Sequence, residues 1–137
     1  MILDSNVVID LTGSDVDVFA EASLRCVSRH AADNVLRINH VIFAEVAPKF
    51  DDRAGFEQTL ALLGIQIVAL DLGDAWRAGR AFNQYRKGGG PRETILPDFL
   101  IAGQAANRGW PIVTRDRKRF AAYFPDLILI DPTKESE

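Results

Sequence analysis

The sequence predicts an α/β protein in which helices cover both faces of a central, mostly parallel sheet of four to five strands. Short apolar runs alternate with longer segments of helical periodicity along the whole chain. Nearly every position in the short runs is apolar, which is typical of strands that are covered on both faces. The chain has 137 residues, 47% of them apolar, so one domain can bury a core without disulfides.

The N-terminal half contains three of the predicted strands, which are separated by helices. Residues 1–5, 35–39 and 65–70 are the apolar runs that predict these strands. Pro48 and Gly64 are expected to end the helices that precede them. The predicted helices of this half begin at residue 6 and then cover residues 15–32, 41–47 and 53–63.

The C-terminal half continues the alternation. A helix is predicted over residues 74–85, and the glycines at 88–90 end it in a loop. Its predicted apolar positions are Trp76, Ala78 and Phe82. The next helix has Pro97 in its first turn and runs to about residue 107, with Gly109 as its cap. The remaining elements are strands at 111–114 and 127–130, with a short helical turn between them.

Composition favours a cytoplasmic protein. Cys26 is the single cysteine, so no intramolecular disulfide can form, and a reducing compartment is expected. No run of about 18 apolar residues is present, and we expect no membrane span. Met1 leads directly into the first strand, so we expect no signal peptide. We assign residues 1–131 to one domain and residues 132–137 to a polar tail.

Positive charge is concentrated in one segment of an otherwise acidic chain. The net charge is −3, which by itself argues against nucleic-acid binding. Residues 75–92 nevertheless carry several bases and no acid. They form either a solvated helix face or a surface that contacts phosphates, and the sequence leaves both interpretations open. The bases are Arg77, Arg80, Arg86, Lys87 and Arg92.

Three acidic residues occupy positions where active sites form in parallel α/β sheets, at or near the carboxyl ends of strands. Asp4 ends the first strand, and Asp116 follows the strand at 111–114. Asp98 lies in the first turn of a helix, where the helix dipole stabilises a carboxylate. Taken singly, each acid is explained equally well by helix capping or by a preference for negative charge at a helix start.

Glu45 is harder to explain in this way, because it lies in an almost wholly apolar predicted helix. Either it faces solvent or a cation offsets its charge, since burying an unpaired carboxylate is strongly unfavourable. Converging carboxylates repel each other unless a divalent cation lies between them. Oxygen ligands alone favour Mg²⁺ or Mn²⁺ over zinc. The two histidines, His30 and His40, show no metal-ligand spacing.

Four segments of the chain resemble the acidic motifs of PIN-domain nucleases, in the same order and spacing. Together they cover nearly the whole chain. The small size and the glycine-rich approach to the third motif resemble the VapC toxins of bacterial toxin–antitoxin pairs. The four segments are Ile2-Leu3-Asp4-Ser5-Asn6, Phe43-Ala44-Glu45-Val46, Pro97-Asp98-Phe99-Leu100-Ile101-Ala102 and Val113-Thr114-Arg115-Asp116.

The resemblance implies a PIN-like α/β/α sandwich and an endoribonuclease that depends on Mg²⁺ or Mn²⁺. The bases of residues 75–92 would contact the RNA substrate. The resemblance also implies a VapB-like antitoxin as partner and suggests a homodimer. It assigns catalytic and metal-binding roles to Asp4, Glu45, Asp98 and Asp116, and supporting roles to Asn6 and Thr114.

Other functions remain open at this point. A non-catalytic interaction module with the same fold would be expected to have lost one or more of the four acids, and all four are present. A PIN nuclease with a role other than that of a toxin would keep them. A phosphatase-like hydrolase with Asp4 as nucleophile would need a second acid where Asn6 stands.

Overall fold

The central feature of the fold is a five-stranded sheet in which every strand pair is parallel. The computed structural model describes residues 1–14, 17–90, 96–116 and 119–134. The strand order is β3-β2-β1-β4-β5, which confirms the predicted α/β sandwich. The strands are β1 (Ile2–Leu3), β2 (Leu36–Asn39), β3 (Ile65–Val68), β4 (Ile112–Val113) and β5 (Leu129–Ile130).

In the described part of the chain, six α-helices connect and cover these strands. Within the described residues, none of the helices is both long enough and apolar enough to cross a membrane. Short 3₁₀ helices follow at Ala47–Lys49 and Arg119–Tyr123. The α-helices are α1 (Ser5–Thr12), α2 (Val18–Ala31), α3 (His40–Val46), α4 (Arg53–Leu62), α5 (Leu72–Lys87) and α6 (Leu96–Arg108).

The first five α-helices all begin at a polar cap. In each, an Asp or Asn side chain accepts a hydrogen bond from a backbone N–H of the first turn. The helix α5 begins two residues earlier than predicted, because Asp71 and Asp74 form a reciprocal capping box. Gly109 follows α6 at a φ of 70°, in the left-handed region, as its predicted capping role requires. The caps are Asp4, Asp17, Asn39, Asp52 and Asp71.

The core lies on both sides of β1, whose residues Ile2 and Leu3 are completely buried. One prediction about α5 was wrong, since Trp76 is 71% exposed. The buried residues of α5 follow helical spacing and form one face of the helix, which includes Ala78. Trp76 lies on the opposite face. There its ring packs against the guanidinium of Arg80 at 5.7 Å.

Helices α5 and α6 approach each other closely. A Cβ at Gly103 of α6 would lie only 2.7 Å from the Cβ of Ala78 in α5, so a larger residue at position 103 would force the helices apart. This packing fixes the helix that carries Asp98 against its neighbour.

Candidate active site

The first acid of the site, Asp4, lies where β1 ends and α1 begins. Its side chain is 1% exposed. One carboxylate oxygen accepts the backbone N–H of Ser5 at 2.9 Å, and the other accepts the hydroxyl of Thr114 at 2.8 Å. The amide of Asn6 lies 3.4 Å from the second oxygen. These hydrogen bonds orient a carboxylate that is almost fully buried.

Thr114 connects Asp4 to the segment that carries Asp116. Parallel pairing sets Leu3 of β1 beside Val113 of β4, so the residues that follow the two strands lie next to each other. The Thr114 hydroxyl donates to Asp4 and accepts the backbone N–H of Asp116 at 3.1 Å. Asn6 also donates to this hydroxyl, at 3.2 Å. Asn6 and Thr114, the two predicted supporting residues, therefore link Asp4 to the backbone of Asp116. The side chain of Asp116 is exposed.

Glu45 comes from the neighbouring strand connection, on α3, which begins directly after β2. Its side chain is exposed and accepts a hydrogen bond from the hydroxyl of Ser5 at 2.8 Å. The same hydroxyl lies 3.4 Å from Asp4. Glu45 therefore faces solvent, which is one of the two alternatives, and a cation that offsets its charge stays a prediction. Ser5 was absent from the predicted site, although a hydroxyl residue directly after a motif acid was a usable signal.

Asp98 lies in the first turn of α6 and is half-buried. Helix α6 packs against α3, which carries Glu45, and against α5. Among the described residues, no group of three or more His, Cys, Asp or Glu side chains is arranged to hold a metal ion. The structure thus brings Asp4, Glu45 and the backbone of Asp116 together through hydroxyl groups. In donor type, four carboxylates fit a hard divalent cation.

The four described bases of the predicted RNA-binding set do not all lie on one side of α5. Arg92 lies outside the described residues, and the other four are on α5. Helical spacing places Arg77, Arg80 and Lys87 on one side of α5 and Arg86 on the other side. A phosphate-contacting stripe along this helix could therefore use three of these bases, and the RNA-binding assignment stays a prediction.

Some of these bases already have partners in the molecule. The guanidinium of Arg77 lies 3.4 Å from Asp126 and also donates to a backbone carbonyl of α6. Arg80 lies over the ring of Trp76, and Arg86 lies over an aromatic ring of its own helix. Arg80 and Arg86 are exposed, so RNA phosphates could replace their ring contacts at low energetic cost.

Asp74 on α5, which is not one of the four predicted site acids, is completely buried. Burial alone would raise the pKa of Asp74, but hydrogen bonds from Arg108, the Asp71 backbone and Asn107, together with the charge of Arg108, lower it to about 2. Arg108 donates to both carboxylate oxygens, at 2.8 and 3.0 Å. Asp74 is therefore an ionised anchor between α5 and α6.

The buried amide of Gln104 extends this anchor to the start of α3. It lies 3.3 Å from Asp74 on one side and accepts a hydrogen bond from Asn39 at 3.0 Å on the other. Asn39 is fully buried and caps α3. Because α3 carries Glu45 and α6 carries Asp98, this polar network connects the two helices that present these acids.

Fold and site together define an α/β/α domain with acids at the carboxyl edge of a parallel sheet. The model of the PIN domain family matches residues 1–124, and the chain belongs to this family. No curated protein matches the chain by sequence.

Solved structures with the same fold include chains from VapBC assemblies. A chain of FitAcB from Neisseria gonorrhoeae has a TM-score of 0.74 at 17% identity, with 98% of this chain and 99% of that chain covered. A chain of VapBC2 from Rickettsia felis, bound to a DNA fragment from its promoter, has a TM-score of 0.73 at 19% identity over 95% and 96% of the two chains. VapBC-5 of Mycobacterium tuberculosis, a member of the VapBC family of toxin–antitoxin systems, has a TM-score of 0.56 at 20% identity over 95% and 96%.

Proposed function

We propose that this chain is an endoribonuclease that depends on Mg²⁺ or Mn²⁺ and acts as the toxin of a toxin–antitoxin pair. Membership of the PIN domain family supports nuclease activity. The observation that carries the proposal is the hydroxyl-bridged set of acids at the end of β1. Asp4 is linked through Ser5 to Glu45 and through Thr114 to the backbone of Asp116.

In this mechanism, Asp4 and Asp98 would be the principal ligands of the cation, and Glu45 and Asp116 would complete its environment directly or through water. When bound, the cation would lower the pKa of a coordinated water and offset charge on the scissile phosphate. Thr114 and the Ser5 backbone hold the Asp4 carboxylate in one orientation. Glu45 and Asp116 are exposed and can therefore be reached by substrate and solvent.

The direct test is RNA cleavage by the purified chain at fixed ionic strength. We expect cleavage with Mg²⁺ or Mn²⁺, a loss of at least about 100-fold in EDTA, and recovery when Mn²⁺ is added back in excess. The expected products carry 5′-phosphate and 3′-hydroxyl ends. A preparation that cuts RNA at the same rate in EDTA would contradict the mechanism. A chain that binds RNA without cutting it would support the non-catalytic alternative.

The proposed partner is a VapB-like antitoxin. It is supported by the similarity to chains of VapBC assemblies, one of which is described as a toxin–antitoxin system. The partner could place an Arg or Lys among the carboxylates, where a charge-assisted contact would compete with the cation. The homodimer and the cytoplasmic location remain predictions of the same kind.

The toxin role predicts that expression of this chain alone arrests bacterial growth. Asp4→Ala should abolish the arrest, because it removes the buried carboxylate at the centre of the site. The measurement is colony count after induction, with soluble protein quantified for both chains. Normal growth at high levels of soluble parent protein would leave a PIN nuclease with some other role.

A further inference from the structure

An ion pair between Asp10 of α1 and Arg115 lies directly beside the acids. Arg115 Nε donates to one carboxylate oxygen of Asp10 at 2.7 Å, and Nη2 donates to the other at 3.2 Å. The hydroxyl of Ser23 in α2 adds a hydrogen bond to Asp10 at 2.6 Å. The Asp10 side chain is only 9% exposed, so this two-point contact is shielded from water, unlike an ordinary surface pair.

The position of Arg115 in the chain gives this contact its significance. It stands between Thr114, which bonds to Asp4, and Asp116. Strand β4 ends at Val113, and residues 114–116 belong to neither a strand nor a helix. Backbone pairing reaches Thr114, whose N–H donates to the carbonyl of Ile130 at 2.9 Å. The N–H groups of the next two residues, Arg115 and Asp116, donate instead to side-chain oxygens.

Within this segment, Arg115 is anchored twice by side chains of α1. The backbone N–H of Arg115 donates to the side-chain oxygen of Asn6 at 3.1 Å, and its guanidinium binds Asp10. Asn6 and Asp10 are four residues apart and so lie on the same face of α1. One face of α1 therefore binds both the main chain and the side chain of Arg115.

We propose that Asp10 and Arg115 are positioning residues, which hold segment 114–116 so that Thr114 and Asp116 face Asp4. The proposal rests on the proposed function, because it concerns the geometry of the same acids. Outer contacts that orient the ligands of a metal typically affect its affinity by about 10–100-fold.

The direction in which the affinity for a divalent cation changes distinguishes a positioning role of Arg115 from a purely electrostatic one. Removing the positive charge of Arg115 from the neighbourhood of the acids should, by Coulomb's law alone, tighten the binding of a divalent cation. Loss of a positioning contact should weaken it. Arg115→Met removes the charge and keeps an unbranched stem that can still cover the ring of Phe19, over which the guanidinium lies at 4.9 Å. Arg115→Lys keeps the charge but loses the two-point geometry.

The experiment uses the full chain and two readouts. Hydrogen exchange is measured for the amides of residues 114–116 without metal, and Mn²⁺ affinity is measured by calorimetry. The variants are Arg115→Met, Arg115→Lys and Asp10→Asn, and circular dichroism checks that each is folded. The matched control is Arg53→Met, which breaks an exposed ion pair with Glu57 on α4.

We expect exchange at residues 115 and 116 to accelerate by about tenfold or more in Arg115→Met, with Mn²⁺ binding weakened by about tenfold. Asp10→Asn should act in the same direction, Arg115→Lys should be intermediate, and the control should change neither readout. Combining Arg115→Met with Asp10→Asn should add little to either single variant.

Unchanged exchange protection in Arg115→Met would overturn the proposal, as would unchanged or tighter Mn²⁺ binding. If neither readout changes, the KM for RNA cleavage is measured next, and a raised KM would make Arg115 a phosphate contact. If the parent chain binds neither Mn²⁺ nor Mg²⁺, the proposed function fails, and the exchange data still decide the role of the ion pair.

Discussion

Asp98→Asn is expected to reduce kcat/KM for RNA cleavage by at least about 100-fold, while the protein remains folded. Asp98 lies in the first turn of α6 and is half-buried, so Asn preserves the size and much of the polarity at the helix start. The lost charge–dipole interaction costs at most about 2 kcal/mol at a partly buried position. The measurement is single-turnover cleavage with excess Mn²⁺, together with urea denaturation.

The matched control for this variant is Glu21→Gln. Glu21 is also an acid in the first turn of a helix, but it lies on the exposed surface of α2. Its replacement should produce a similarly small change in stability and no change in cleavage. If Asp98→Asn cleaves RNA at the parental rate, Asp98 serves only as a favourable charge at the start of α6.

The order of strands and helices could be predicted because the relevant signals are local. Short apolar runs, glycine breaks and helix caps lie within a few residues of the elements that they define. The same holds for the positions of the acids, since Asp4 follows a strand and Asp98 starts a helix. Local pattern also explains the error at Trp76, because a large apolar residue was assumed to face the core.

The contacts that join the acids could not be predicted in this way. The bond from Ser5 to Glu45 spans 40 positions, and that from Thr114 to Asp4 spans 110. Such pairs depend on strand order, which composition and periodicity do not specify. The exposure of Glu45 illustrates the same limit, because its apolar sequence neighbours gave no information about which side of α3 faces solvent.

The buried hydrogen-bond network around Asp74 could not be predicted from local sequence patterns either. Asp74 and Arg108 are 34 positions apart, and Asn39 and Gln104 are 65 apart. In the sequence, Asp74 is one of several polar residues near the start of a predicted helix. In the structure, it is the ionised centre of the contact between α5 and α6. This difference makes it the position with the largest expected effect on stability.

Asp74→Asn is expected to lower the free energy of unfolding at pH 7 by about 3 kcal/mol. It removes the charge opposite Arg108, whose side chain is 28% exposed, and among the described residues leaves the more exposed Asp71 as the acid that pairs with Arg108. Removing one member of a buried pair typically costs about 3–5 kcal/mol, and the remaining contact places this variant at the lower end. Urea denaturation of the parent and the variant measures the difference. Asp126→Asn, which breaks an exposed pair with Arg77, should cost no more than about 1 kcal/mol.

The pH dependence of this difference identifies its cause. The pKa of Asp74 falls from 3.8 to about 2 on folding, so its ionisation stabilises the folded chain above pH 3.8. At about 1.4 kcal/mol for each pH unit between those values, this contribution is about 2 kcal/mol. It is lost as the pH falls from about 4 through about 2, where the folded carboxylate takes up its proton. The stability gap between parent and Asp74→Asn should therefore stay constant from pH 7 to pH 5 and narrow below pH 4. A gap that does not narrow on acidification would show that Asp74 stabilises the fold through packing or neutral hydrogen bonds, and that its ion pair with Arg108 contributes little.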